Sequence, residues 1–345
     1  MTSLDPPPTE AAPVAPPKRL LDRLRSLQRP IVFGHIVPDA DCLGSAIGLA
    51  ATLRDMGMDA VVGLPDGAGA KRLRFMFDLA PECPLTATMP ADRDGLIVVD
   101  TATEKRVNFD PHPDFSGELP SLNIDHHITN TDFASINWVD PHASSASQLI
   151  ARLIGKLDRV PSAGVASLLY AGIHGDTAGF SLPSTSADAL HTAADLVRAG
   201  ADVTHIGEQL CRSQARTDFE LLRRVYEHTT TTPDGRIAYS FLSHRDIVES
   251  HCTAEDIDDQ VSIPRALKGV RIAMLFSEGE PGVTRVNLRG EGQVSVIEIA
   301  QRFGGGGHTQ SAGIRVRNRP MAEIIEDVLA AAQAHLKAAD DDTSP

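Results

Sequence analysis

Eight carboxylate or imidazole side chains follow directly on apolar runs of the sequence: His35, Asp39 and Asp41 after IVFG, Asp100 after GLIVV, Asp125, His126 and His127 after SLNI, and Asp176 at the end of LLYAGIHG. Any one Asp in such a place is most simply a turn or helix-capping residue, and Asp41 reads as the N-cap of the helix that follows it. The set means more than its members because strands of one parallel sheet deliver their carboxyl ends to a single edge, where residues distant in sequence become neighbours. Four aspartates brought together there repel one another and take up protons unless cations are present. Asp39, Asp41, Asp100 and Asp176 carry −4 against neutral His35 and His126, a charge that two divalent ions balance. The donors are hard oxygen and imidazole, which favours manganese first, with magnesium or iron as alternatives, over structural zinc. Asp39 and Asp41 of the extended P-D-A-D segment are expected to point apart and serve different ions, with Asp100 bridging. Two ions about 3.5–4 Å apart are the usual apparatus for attack of water on phosphorus. Asp125 is expected to orient an imidazole or cap the turn.

These groups need a scaffold. The chain has 345 residues, 42% of them apolar, enough for about two domains with separate cores. The runs IVFGHIV, AVVGLP, GLIVVD and SLNID alternate with helical patterns such as DCLGSAIGLAATLRDMG, where Gly57 suits a C-terminal cap. Near-continuous apolar strands separated by helices predict an α/β domain with a parallel sheet covered on both faces. Six prolines among residues 1–17 predict a disordered leader, followed by a catalytic domain over 18–200. A helical connector is expected over 201–228, a smaller α+β domain over 229–338 and an acidic tail over 339–345. In that second domain RIAYSFLS, RIAMLFSE and TRVNLRG read as strands, then VIEIAQRF as a helix, a glycine run, and a last helix from Met321.

Composition removes several classes. With 46 acidic against 32 basic residues the net charge is −14, so long nucleic acid is not an expected partner. No run approaches the apolar length of a membrane span and the start lacks a secretory pattern, so a cytoplasmic location is expected. Cys42, Cys83, Cys211 and Cys252 form no C-x-x-C pair and read as reduced buried thiols.

The segments GHIVPDADCLGS, LIVVDTA, NIDHHITN and GIHGDTAGF resemble, in order, the four motifs of the DHH phosphoesterase family. The resemblance implies one ion held by His35, Asp39 and Asp100 and a second by Asp41, Asp100, His126 and Asp176, with His127 facing the phosphate. Asp100 and Asp125 join His127 as the expected catalytic groups. Many relatives read T-D-T-G where this chain has Gly175-Asp176-Thr177-Ala178. His174 is read as packing, and His112 and His142 as solvated loop residues.

RFGGGGHTQSAG carries Gly304 to Gly307 and then His308, and small residues there let backbone N–H groups cradle an anion. Arg265 and Arg289 offer guanidinium forks for phosphate. These features resemble the DHH-associated C-terminal domain, which implies substrate contacts from Gly305, Gly306, Gly307, His308, Arg265 and Arg289, across a cleft between the two domains. Leu288-Arg289-Gly290 and Ser295 depart from the common pattern. The compact form is most similar to the bacterial NrnA-type branch. That branch implies a hydrolase acting on very short oligonucleotides or on 3′-phosphoadenosine 5′-phosphate. A cyclic or linear dinucleotide phosphodiesterase is the alternative, and a non-catalytic nucleotide sensor or a polyphosphate hydrolase the readings from other classes. A homodimer is left open.

Overall fold

The computed structural model describes residues 13–65, 73–211, 216–252, 257–292 and 294–342. The chain divides between residues 213 and 214 into two compact units. In the first, helix α1 (Lys18–Ser26) precedes β1 (Pro30–Phe33), α2 (Ala40–Asp55), β2 (Val61–Gly63), α3 (Phe75–Asp78), β3 (Leu85–Thr86), β4 (Gly95–Val99), β5 (Ser121–Asp125) and β6 (Ile136–Val139). Helices α4 (Ala146–Lys156), α5 (Ala163–Asp176), α6 (Ala187–Arg198) and α7 (Val203–Cys211) follow. The six strands pair in the order β3-β2-β1-β4-β5-β6, every pair parallel. The order reverses between β1 and β4, and a crevice outside the carboxyl ends at such a reversal is where doubly wound sheets bind ligands.

Alternate residues of the central strands enter different cores. Val32, Ile97 and Val99 pack under the helices, whereas Ile31, Phe33, Leu96 and Val98 pack with Phe109 and Phe115 from the β4–β5 connection. Helices therefore cover one face and an aromatic loop the other, with Phe33 edge-on to Phe109 at 5.1 Å. Helices α2 and α5 run through the main core, and their contact depends on glycine. A Cβ on Gly44 would stand 2.4 Å from the carbonyl oxygen of Leu168, and one on Gly172 would stand 2.0 Å from Ser147 Oγ and 2.8 Å from Asp41 Oδ1. Gly44→Ala improves helix propensity by about 1 kcal/mol, yet the clash is with backbone that must move. A net loss of about 1–3 kcal/mol, read as a lower urea midpoint, is the expected outcome.

The second unit opens with α8 (Arg216–His228), β7 (Thr230–Thr231), β8 (Ile237–Leu242), α9 (His244–Glu249) and α10 (Ser262–Arg265), followed by β9 (Ile272–Glu280) and β10 (Val283–Gly290). It closes with α11 (Ile297–Arg302), β11 (Gly306–His308), β12 (Ser311–Arg317) and α12 (Met321–Asp342). Its mixed sheet has the order β11-β12-β10-β9-β8-β7, with only β8 and β9 parallel. Met274, Phe276, Val286, Leu288 and Ile314 pack with α11 and α12, while Ala238, Ala273 and Leu275 pack with Leu221 and Val225 of α8 and with Ile247 of α9.

Several expectations need correction. The leader is not loose to residue 17: the Val14 N–H donates to Asp140 at 3.0 Å and its carbonyl accepts from Trp138 Nε1 at 3.0 Å, while residues 1–12 lie outside the described residues. The connector over 201–228 is not a separate element, because Ile206 of α7 is buried in the first core and Leu221 and Val225 of α8 in the second unit. The acidic tail begins later than residue 339, since α12 runs to Asp342 and Asp340 is paired with Arg236 and with Arg271, the latter at 2.7 Å. Cys211 is exposed and Cys252 half-buried, so only Cys42 and Cys83 are buried thiols. The β6 strand and the β11–β12 hairpin are additions to the expected elements. Among the described residues no helix is long and apolar enough to cross a membrane.

Candidate metal centre

The β1–α2 junction supplies three of the groups. His35 leaves β1 with its backbone N–H donating to Cys42 Sγ at 3.3 Å. Asp39, and not Asp41, is the N-cap of α2: its Oδ1 accepts from the N–H groups of Asp41 and Cys42, each at 3.0 Å. Residues two apart on an extended chain share a face. Asp39 and Asp41 separate instead because Asp39 is still extended while Asp41 lies inside the first helical turn. Asp41 is fully buried, and its carboxylate sits at the start of α4, accepting from the N–H of Ala146 at 2.6 Å and of Ser147 at 2.8 Å. That placement satisfies orphan helix donors and aligns the charge with the positive end of the helix dipole.

Asp100 follows β4 with φ +51°, a left-handed conformation that Asp tolerates better than most residues and that turns its side chain abruptly out of the strand direction. Asp176 ends α5, and Ala178, Gly179 and Phe180 after it all have positive φ, the turn in which the sequence departs from T-D-T-G. His174 meets the rings of Tyr170 and Phe180 at 6.2 and 6.0 Å and is a packing residue. His112 and His142 lie exposed in loops.

Six side chains then converge. His35 Nε2 lies 3.3 Å from Asp100 Oδ2 and 3.8 Å from Asp39 Oδ2. His126 Nε2 lies 3.4 Å from Asp100 Oδ1, 3.3 Å from Asp176 Oδ2 and 3.9 Å from Asp41 Oδ2. The two oxygens of Asp100 thus face two different imidazoles. Donor atoms held about 2.0–2.2 Å from one ion at about 90–110° stand roughly 2.8–3.6 Å apart, the spacing of the closest of these pairs. Donor chemistry and spacing both fit divalent cations.

Electrostatics agree. Burial, then the charge of Asp100, pushes the Asp41 carboxyl up to about 7. Burial, then Asp41 and Asp39, raises Asp176 well above the carboxylate range. For His126 burial opposes the charged form, but Asp100, Asp176 and Asp41 outweigh it and raise its pKa. Asp100 is lowered against its burial by hydrogen bonding to His126 and His35. In the metal-free protein Asp41 holds a proton up to about pH 7 that the unfolded chain releases near 3.8. Its contribution to stability therefore falls as pH rises through that window. A bound cation must displace the protons on Asp41, Asp176 and His126, so its affinity rises with pH. The expected outcome is a larger rise in melting temperature on adding Mn²⁺ at pH 8 than at pH 6, measured by scanning calorimetry.

Asp125 lies wholly buried at the end of β5, and its partner is His127: Nδ1 to Oδ1 is 2.7 Å. Its other oxygen accepts from Asn130 Nδ2 at 2.6 Å, and Asn130 also donates to Asn123 Oδ1 at 2.8 Å. Sequence reasoning passed over Asn130, although it stands in the same NIDHHITN segment. It also set aside Cys42, one residue beyond Asp41, whose Sγ and the donor atoms of His35 and Asp100 lie within 4.8 Å of one another.

The substrate candidates of the second unit divide. Arg289 is half-buried on the β10 face that also carries Arg285 and Asn287, opposite Ser311 of β12, and Nη1 donates to the Leu288 carbonyl at 3.0 Å. Arg265 is not an open fork: Glu291 pairs with its Nε, so an anion there would meet a carboxylate. The glycine run is not a loop between helices but enters strand β11, with Gly306 opposite Gly313 and Gly307 opposite Ala312. A Cβ on Gly305 would stand 2.2 Å from the Gly313 carbonyl oxygen, and Gly307 has φ +141° with 2.4 Å to that of Ser311, whereas Gly306 has open space. The side chain of His308 lies outside the described part of the structure.

Comparison with known proteins matches both parts of the chain. The DHH family N-terminal domain matches residues 29–173 and the DHHA1 domain matches residues 234–338. The chain carries a DHH domain followed by a DHHA1 domain. It is similar to the bifunctional oligoribonuclease and PAP phosphatase NrnA of Thermus thermophilus, 29% identical over 321 residues that cover 91% of this chain and 92% of that one. It is 28% identical to the protein of the same description from Bacillus subtilis, over 86% of this chain and 91% of that one. An exopolyphosphatase-related protein of Bacteroides fragilis shares the fold with a TM-score of 0.82 at 22% identity, covering 94% of this chain and 97% of that one. The DHH match contains His35, Asp39, Asp41, Asp100, His126 and His127 and stops at residue 173, just before Asp176.

Proposed function

We propose that the chain is a dinuclear-metal phosphoesterase, with manganese the favoured ion, that hydrolyses very short oligonucleotides to mononucleotides and 3′-phosphoadenosine 5′-phosphate to AMP. The observation that carries this reading is Asp100 turned out of β4 so that one oxygen faces His35 and the other His126. In this reading His35, Asp39 and Asp100 hold one ion, and Asp41, Asp100, His126 and Asp176 the other. Bound divalent ions supply an acidified water and neutralise charge on phosphorus. The chain's own groups do the rest. The N–H groups of Ala146 and Ser147 fix Asp41. Asp125 accepts from His127 Nδ1–H, which leaves Nε2 to face a phosphate oxygen and to donate to it when the ring carries its second proton. The complete ligand set argues against a non-catalytic sensor. Arg289 supports recognition of the distal nucleotide, and Arg265, engaged by Glu291, does not enter the proposal.

The test is incubation of the purified protein and Mn²⁺ with di-, tri- and pentanucleotides, linear and cyclic dinucleotides, phosphoadenosine phosphate and polyphosphate, the products being resolved by chromatography. Mononucleotides and AMP are expected. Activity confined to cyclic dinucleotides or to polyphosphate would replace the substrate assignment, and no turnover on any of them would remove it. Arg289→Ala is expected to raise KM for dinucleotides about tenfold, the loss of one charge-assisted hydrogen bond, while sparing an aryl phosphodiester.

A further inference from the structure

The metal centre adjoins a thiol that hard-cation chemistry does not use. Cys42 is 1% exposed, and its sulfur, one ring nitrogen or carboxylate oxygen of His35 and Asp100 each, lie within 4.8 Å of one another. The second observation is on His35 itself. Its Nε2 faces Asp100 and Asp39, while its Nδ1 is buried without a hydrogen-bond partner in a residue that is 8% exposed. A metal-bound imidazole almost always donates its other N–H to an acceptor, and this ring has none on Nδ1. Gly34 belongs to the same construction, since a Cβ there would stand 2.1 Å from Cys42 Sγ.

We infer that His35, Cys42 and Asp100 form a binding site for a thiophilic divalent ion of the zinc and cadmium class, overlapping the hard-cation centre and inhibiting it when filled. Nitrogen, sulfur and oxygen donors in one buried cluster make the set zinc requires, and first-row affinities place zinc above manganese. Drawing the three donors to about 2.0–2.3 Å of one ion contracts their separations by up to about 1–2 Å. On binding, the thiol gives its proton to solvent as the sulfur–metal bond forms, with no change of oxidation state. Because the ion takes His35 and Asp100, it removes them from the catalytic pair. The inhibition rests on the phosphoesterase reading, whereas the binding does not.

The experiment uses the full chain carrying Cys211→Ser and Cys252→Ser, with Cys83 silent because, among the described residues, it belongs to no cluster of three metal-ligating side chains. Cd²⁺ alone, added to metal-free protein, is expected to produce a thiolate-to-cadmium ultraviolet absorption that saturates at one equivalent. Cys42→Ser keeps an acceptor for the His35 N–H and is expected to lose the band. Zn²⁺ inhibition of Mn²⁺-supported hydrolysis is expected to weaken at least about tenfold in the same variant, the order of effect seen when groups around a metal are removed. A band that survives Cys42→Ser, or no band in the parent, overturns the site. X-ray absorption on the zinc-loaded parent does not depend on the variant folding: one sulfur at about 2.3 Å supports the site, and a shell of nitrogen and oxygen alone overturns it. A cadmium band in a protein that hydrolyses no phosphoester keeps the site and overturns only the proposed activity.

Discussion

Asp100→Asn is expected to lower kcat in Mn²⁺ by at least about 10³-fold. Asp100 is 3% exposed and stands between His35 and His126, each of its oxygens 3.3–3.4 Å from an imidazole nitrogen. An amide keeps the shape but removes a charge and one of the two anionic oxygens, so one ion loses a ligand and the other loses its counter-charge. Ions at such centres contribute several kcal/mol of transition-state stabilisation, and about 4 kcal/mol is a factor of 10³ in rate. The positive φ of Asp100 does not confound the test, because Asn is as tolerant of that region as Asp. Steady-state kinetics with calorimetric Mn²⁺ titration decide the matter. Retained turnover with two ions bound would show that Asp100 does not bridge them.

The second large effect is expected at Asp125, which touches no group of the proposed ligand set. In Asp125→Asn the carboxamide must face His127 Nδ1 and the Asn130 amide with only one oxygen. If the oxygen stays on His127, two NH₂ groups oppose each other in a fully buried place. If the amide flips, its NH₂ meets Nδ1 and forces the proton onto His127 Nε2. In the first case His127 loses its charged partner beside a buried clash, and in the second Nε2 carries the proton in place of Nδ1, so Nε2 no longer meets phosphate in the same position and protonation state, and a loss of about 10²-fold in kcat follows, within the range of a positioned acid or base. Mn²⁺ affinity is expected to stay within about threefold, because outer groups that do contact ligands cost about 10–100-fold in affinity and Asp125 contacts none of them. His127→Gln should show a similar loss, and the double variant little more, since groups that act as a unit are not additive. A pH–rate profile in which the parent and Asp125→Asn share every inflection would mean that Asp125 only supports the fold.

Other proposed roles follow from the same geometry. The N–H groups at the start of α4 hold both oxygens of Asp41, so the helix that closes the core also orients a metal ligand. Gly172 leaves the space in which that carboxylate and Ser147 meet. Stability and site construction are thus coupled at the α2–α4–α5 contact, where a single methyl group would reach both.

How much of this was legible in the chain depends on range. The apolar runs ending in Asp100 and in Asp125-His126-His127 declared themselves as strands of a buried parallel sheet, because side chains buried on both faces leave continuous Val, Ile and Leu in the sequence. Once the strands are parallel, their polar ends must share an edge, so the gathering of His35, Asp39, Asp41, Asp100 and His126 was a consequence of local pattern plus one topological rule, whereas Asp176 arrives from the end of helix α5.

The tertiary structure decided what spacing along the chain does not encode. Whether Asp39 or Asp41 capped α2 depended on where the chain first turned helical, a matter of two residues. That Asp125 serves His127 and not His126 depended on the turn beyond β5. Arg265 read as an open cation until Glu291, 26 residues later, was folded against it. Four glycines read as a loop because the strand they pair with, β12, is defined only by the hairpin itself. Cys42 read as a reduced buried thiol, which it is, but nothing in a sequence tells a buried sulfur which imidazole lies in its cluster. In each case the energy that chooses, whether a buried hydrogen bond, an ion pair or a backbone approach, exists only between groups the fold has already brought within a few ångströms.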